Sequence, residues 1–347
     1  MTLYLSYCKW LSESYKSYYL IELRNVIKKY GSVIAVDNVS FTIQKNETFG
    51  LIGTSGSGKT TTLKMINRLV EPDSGDIFIS GENIIQKDAV TLRRNIGYII
   101  QDTGLFPHYT IYENIAVVPK LLGWKYSEIE DRVHFLLDLV GLSNSIFHNR
   151  YPNELSGGQQ QRVGIARALA ADPPVILMDE PFGALDPITR QQIRDEFKEL
   201  ENKIRKTVVL VTHDVFEAFD LCNRIALINN GVIHQIGTPK ELIFKPANEF
   251  CYNFFSSNRF FLELSVLKLK DLFPEIQQIK PDNKKRIKCI VTQSLLEIFE
   301  ILEEVQDNVI LQVMNNDGNS LGFINPTDLF RSFFNYTNKY SRFIKKR

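Results

Sequence analysis

Residues 53–60 read Gly-Thr-Ser-Gly-Ser-Gly-Lys-Thr. The five residues before them, Thr48-Phe-Gly-Leu-Ile52, form an apolar run that reads as a buried parallel strand. The residues after them, from Lys59 to about Leu69, read as a helix. A strand that enters a glycine loop and leaves as a helix is a cradle for phosphate. Its glycines let successive backbone N–H groups turn inward. The helix start adds roughly half a positive charge. Gly53, Ser55, Gly56, Ser57, Gly58, Lys59, Thr60 and Thr61 are therefore the candidate phosphate-binding residues. Lys59 is placed to reach β- and γ-phosphates, and Thr60 to offer its hydroxyl to Mg²⁺. The alternative is a ligand-free strand–helix turn, but both flanking elements supply the context that a phosphate cradle needs.

A second apolar run, Val175-Ile-Leu-Met178, ends in Asp179-Glu180. Alone, an acidic pair at a strand end reads equally as a turn. With the glycine loop upstream, Asp179 is the expected holder of the Mg²⁺ hydration shell and Glu180 the group that polarises an attacking water. Phosphoryl transfer needs positioning and charge neutralisation more than covalent chemistry. Between the two elements lies Leu155-Ser-Gly-Gly-Gln-Gln-Gln-Arg162, a polar, glycine-broken helix start. Its backbone N–H groups and Ser156 suit a phosphate too. One chain thus carries two half-sites, so two copies must meet head to tail to complete an ATP site.

The wider chain fits an α/β protein. Ile21–Val26, Val39–Ile43 and Asp76–Ile79 read as strands, residues 110–170 as mainly helical, Ile188–Lys203 as helix, and Val208–Val211 as a further buried strand. With 347 residues and 44% hydrophobic content, two domains and a large core are expected. Lys and Arg nearly balance Asp and Glu, leaving a net charge of +1, which argues against a general nucleic-acid binder. The four cysteines, Cys8, Cys222, Cys251 and Cys289, lack metal-like spacing and read as reduced thiols. No apolar run is long enough to span a membrane. Residues 1–20, rich in Tyr and Ser, read as a peripheral extension, with a membrane-touching helix as the alternative.

Taken in this order, the glycine loop, Leu155-Ser-Gly-Gly-Gln159 and Asp179-Glu180 resemble an ABC-type ATPase over about residues 21–256. The resemblance implies a RecA-like core with a helical subdomain and an antiparallel β subdomain. It implies ATP and Mg²⁺ as cofactors, with Tyr30 stacking on adenine and Gln101 contacting metal and water. Metal contacts then fall to Thr60, Gln101 and Asp179. Ser156 and Gly158 would bind the γ-phosphate of ATP held by the partner copy. Ala184-Leu-Asp186 would cross the dimer seam, and His213 would sense the γ-phosphate, making Glu180, His213 and Lys59 the catalytic set. The other histidines, His108, His134, His148 and His234, read as structural.

Leu63-Lys-Met-Ile-Asn-Arg68, Gly104–Trp124 and Asp186-Pro-Ile-Thr-Arg190 are similar to ATP-binding subunits of quaternary-amine (glycine betaine, choline, carnitine) importers. That resemblance implies a homodimer of ATPase subunits at the cytoplasmic face of the membrane. It further implies integral-membrane permease subunits, an extracytoplasmic substrate-binding protein reached through the complex, and no nucleic acid. An amino-acid importer of the methionine type is the alternative. Beyond residue 256, residues 257–286 read as a linker or degenerate repeat and residues 335–347 as a basic tail. Residues 287–334 follow a βαββα-like order that resembles one CBS repeat, a small α+β module in which Asp328 could meet a ribose. Such a module either senses nucleotide or ionic strength, or serves dimerisation and packing.

Overall fold

The computed structural model describes residues 19–101, 103–280, 285–305 and 309–344. Most of the expected N-terminal extension, residues 281–284 of the expected linker and the last three residues of the tail lie outside the described residues.

Contacts divide the chain into two compact units, Met1–His234 and Gln235–Arg347. The first is built on a six-stranded sheet. Its strands run in the order Val232–Gly237, Arg224–Asn229, Thr48–Ile52, Thr207–Thr212, Val175–Asp179, Ile96–Ile99. The pairings among Arg224–Asn229, Thr48–Ile52, Thr207–Thr212, Val175–Asp179 and Ile96–Ile99 are all parallel. Every residue of the three strands Thr48–Ile52, Thr207–Thr212 and Val175–Asp179 is buried. That explains why their sequences are continuous apolar runs rather than alternating ones: helices cover both faces of a parallel sheet.

A second, antiparallel sheet orders Val33–Gln44, Tyr19–Tyr30, Ser74–Ile79 and Glu82–Asn83. Its two long strands exceed the alternating stretches visible in sequence. The register of their pairing shifts between Leu23 and Val26, and Asn25 and Asn38 take φ of 48° and 51°. Asparagine tolerates this left-handed conformation, and such irregularities break the two-residue alternation while the strand continues.

Residues 110–170 are mainly helical, as expected: Ile111–Leu121, Tyr126–Leu139, Asn144–Phe147 and Gly157–Leu169. Ile115, Ala116, Val133, Leu136, Leu137, Val163 and Ala166 are all fully buried and form much of their common core. The helix after the glycine loop is shorter than expected. It spans Lys59–Ile66 because Arg68, at φ 49°, turns the chain left-handed just beyond it.

The second unit contains a three-stranded sheet in which Lys285–Ile290 runs parallel to Val309–Met314, itself antiparallel to Ser320–Ile324. Helix Leu295–Glu303 follows the first strand, and helix Pro326–Ile344 follows the third. The first strand starts at Lys285, two residues ahead of the expected start of the module. Phe299 and Phe330 stack at 4.1 Å between these two helices. Residues ahead of this sheet join the same unit: Leu269 N–H donates to Gln293 O at 3.0 Å and Lys270 N–H to Val291 O at 2.8 Å.

Candidate functional site

The glycine loop leaves the central strand at Ile52 with backbone geometry that side chains would forbid. Gly53 has φ 156°, and a Cβ there would stand 1.9 Å from Ile228 O. Gly58 has φ 100°, and a Cβ there would stand 2.2 Å from Ala35 O. The loop is therefore pressed between the core sheet and the antiparallel hairpin. Gly231 N–H donates to Ser57 O at 3.0 Å, and Asp37 N–H to Gly231 O at 2.9 Å, fixing that junction. Tyr30 lies on the same hairpin, half exposed, with Lys28 Nζ 5.6 Å from its ring centre.

The helix that follows has no side-chain cap at its start. The helices beginning after Thr110, Ser156, Asp186 and Asp214 all have one. Uncapped N–H groups together with the helix dipole favour an anion there. The buried Ser57 hydroxyl, which has no hydrogen-bond partner, adds a donor. Ser55 and Gly56 are exposed at the loop tip, and Thr61 is half-buried in the first helical turn. Lys59 Nζ lies within the loop, donating to Gly53 O at 2.9 Å and Thr54 O at 2.8 Å. Burial lowers its pKa, against the charges of Glu180 and Asp179.

Thr60 Oγ1 donates to Asp179 Oδ1 at 2.8 Å. Burial raises the Asp179 carboxyl, while the Thr60 hydrogen bond and Lys64 act the other way. A hydroxyl and a carboxylate side by side form an all-oxygen donor pair suited to a hard divalent cation such as Mg²⁺. Tyr98, which sequence reasoning passed over, sits beside them. Burial and the Asp179 charge raise its phenol pKa. Its position within an apolar strand gave no signal of this.

Glu180 is the next residue, and its backbone is left-handed at φ 46°. Its N–H donates to Val211 O at 2.9 Å, anchoring it to the neighbouring strand. Its Oε2 lies 3.1 Å from His213 Nδ1 and 3.5 Å from Gln101 Nε2. Three residues singled out from distant parts of the sequence thus meet at one carboxylate. Arg190, quoted in the sequence but given no role there, organises the loop after Glu180. It donates to Phe182 O at 3.1 Å, Gly183 O at 3.3 Å and Leu185 O at 3.0 Å, and lies 3.9 Å from Asp214. Arg167 holds the chain just after Gln101 in the same manner, through Thr103 O and Gly104 O.

Ser156 belongs to a different surface. It is exposed and caps its own helix, its hydroxyl accepting from Gln159 N–H at 3.3 Å. Gly158 is buried so tightly that a Cβ would stand 2.6 Å from Thr189 Cγ2. Gly157 faces Leu185. The expected second half-site therefore packs against Leu185 and Thr189.

A family model described as ABC transporter matches residues 36–183. The osmoprotectant import ATP-binding protein OsmV of Salmonella typhimurium is 48% identical over 310 residues, covering 88% of this chain and 79% of that protein. The choline transport ATP-binding protein OpuBA of Bacillus subtilis is 46% identical, covering 88% and 78%. The glycine betaine uptake system ATP-binding protein YehX of Escherichia coli is 42% identical, covering 89% and 99%. The chain belongs to the ATP-binding subunits of quaternary-amine ABC importers. Among solved structures, this ABC subunit is similar to the cassette MJ0796, solved as a dimer in a post-hydrolysis state with ADP and Pi. That structure has a TM-score of 0.56 and 36% identity, and the match covers 63% of this chain and 98% of that one. The P-loop ABC ATPase fold expected from the sequence is thereby established.

Proposed function

We propose that this chain hydrolyses ATP between two copies of itself and thereby drives import of a quaternary-amine osmoprotectant such as betaine, choline or carnitine. The observation that carries the reading is the convergence of Gln101, Glu180 and His213 on one carboxylate beside the Thr60–Asp179 pair. In this reading the loop amides and Lys59 bind the β- and γ-phosphates, and Tyr30 packs on adenine. Glu180 takes up the proton of the attacking water, which needs only hydrogen-bond reach and a free lone pair. His213, already paired with Glu180, contacts the γ-phosphate and couples its presence to that carboxylate. Thr60, Asp179 and Gln101 would hold Mg²⁺, which neutralises phosphate charge. Ser156 and Gly158 of the partner copy would close over the same triphosphate.

The surface around Phe106, Tyr109, Leu121, Leu122 and Tyr126 is exposed and apolar. It suits the integral-membrane permease subunits, with the substrate-binding protein engaged through them. Among the described residues no helix is long and apolar enough to cross a membrane, which agrees with a peripheral position at the cytoplasmic face. The quaternary-amine relatives favour this substrate class over an amino-acid one. Uptake of labelled betaine, choline and carnitine should fall when the chain is removed. Undiminished uptake of all three would overturn the substrate assignment.

The βαββα arrangement of residues 285–344 supports a CBS-like module. Asp328 already accepts from Asn325 at 3.2 Å and pairs with Arg331 at 3.4 Å, which favours a packing role over ribose binding. Asp328→Asn should then leave the salt dependence of transport unchanged.

A further inference from the structure

Two histidines read as structural from the sequence meet a carboxylate in the helical part of the first unit. Glu130 and His134 lie one turn apart on helix Tyr126–Leu139, where residues four apart share a face. His148 follows the short helix Asn144–Phe147. His134 Nε2 is 3.4 Å from Glu130 Oε1, and His148 Nε2 is 3.8 Å from the same oxygen. One ligand atom from each residue falls within 4.8 Å of the other two. Tetrahedral coordination with bonds of about 2.0–2.1 Å separates ligand atoms by about 3.4 Å, close to these spacings.

The surroundings of His148 hold its ring with one nitrogen towards the carboxylate. His148 Nδ1 lies 2.9 Å from Asn149 Oδ1, an oxygen that can only accept, so Nδ1 carries the proton. Nε2, on the other side of the ring, faces the Glu130 carboxylate. Nε2 of His148 is buried without a hydrogen-bond partner, an arrangement native proteins avoid unless something else satisfies the atom, while the Glu130 carboxylate also faces the phenols of Tyr112 and Tyr126. The Tyr112 ring stacks on His148 at 4.5 Å and fixes its plane. An imidazole oriented through its second nitrogen and held by packing is how proteins present a metal ligand.

We propose that Glu130, His134 and His148 form a binding site for one divalent transition-metal ion of the Zn²⁺ class, separate from the nucleotide site. Two imidazoles and a carboxylate are the donor set that such an ion prefers, with a fourth position open to water. The ion ties helix Tyr126–Leu139 to the His148–Arg150 segment. That segment accepts the N–H groups of Tyr112 at 3.1 Å and Ile111 at 2.8 Å, and it leads into the Pro152–Glu154 turn ahead of Ser156.

The test is titration of the tag-free, chelator-treated full chain with Zn²⁺ and with Co²⁺, without nucleotide, by calorimetry and visible absorption. The expected result is one ion per chain and a Co²⁺ spectrum of low coordination number. His134→Ala and His148→Ala should each weaken binding roughly 100-fold, and Asn149→Ala about 10-fold. Glu130→Gln, which keeps the side-chain shape, should weaken it as well. His213→Ala should bind as the parent does. Metal-free melting temperatures close to the parent's show that the variants are folded. Unchanged affinity in the His134→Ala, His148→Ala double variant, or loss of binding in His213→Ala, overturns the proposal.

Discussion

The Thr60 hydroxyl and the Asp179 carboxylate share a hydrogen bond of 2.8 Å although 119 positions separate them. One stands in the first turn of the helix after the glycine loop, and the other ends the strand Val175–Asp179. The bond joins the phosphate cradle to the acidic strand end, and every prediction about turnover depends on that junction.

Lys59→Ala removes the one cation that the loop folds around. Its ammonium lies against two loop carbonyls at 2.8–2.9 Å, so both the countercharge for phosphate and the loop shape are lost. Nucleotide affinity or turnover should fall by roughly 100-fold or more. Equilibrium dialysis and phosphate release measure the two separately, and parental turnover would show the site to be misassigned.

Glu180→Gln keeps the side-chain shape and hydrogen-bond capacity but loses the basic lone pair. ATP should still bind, while turnover falls at least about 100-fold. Gel filtration with ATP should show an accumulated dimer. A variant that stays strictly monomeric under these conditions argues against the shared-site reading.

Arg190→Ala removes hydrogen bonds to three carbonyls of the Phe182–Leu185 loop. Nucleotide affinity should change little, and turnover should drop about tenfold through misplacement of groups beyond Glu180. Equal losses in affinity and turnover would place the effect in the cradle instead.

Glu217 lies in the first turn of helix Val215–Leu221, three residues past His213's neighbour Asp214, and is buried. Its Oε2 accepts from Thr212 at 2.8 Å, and Oε1 has no partner. Burial raises its pKa from 4.5 to about 7. The folded state then holds a proton that the unfolded chain releases between these values. Stability from this group is present below pH 4.5 and is lost as pH rises to about 7. The expected loss is about 2–3 kcal/mol. Glu217→Gln should flatten that part of the melting-temperature profile, and an unchanged slope between the two pH values would contradict it.

Much of the nucleotide site was legible because its signals are local. Gly53, Gly58 and Lys59 announce themselves through spacing, and Asp179 and Glu180 through their place at the end of an apolar run. What stayed hidden depends on tertiary approach. Tyr98 sits in an ordinary apolar strand and meets Asp179 only once the sheet is assembled. Arg190 looks like any helical arginine until its three carbonyl partners are seen. His134 and His148 looked structural because the residue joining them, Glu130, is a helical neighbour of only one. The long hairpin strands were shortened in the sequence reading because Asn25 and Asn38 interrupt the alternation without ending the strands.

Glu180 occupies a backbone conformation that glycine would adopt freely, at an expense to the fold of roughly 1–2 kcal/mol. Selecting this protein for heat resistance alone would therefore pull against catalysis at that single position. Glu180→Gly would relieve that strain, with part of the gain offset by glycine's greater freedom in the unfolded chain, and would leave a chain unable to turn over its fuel.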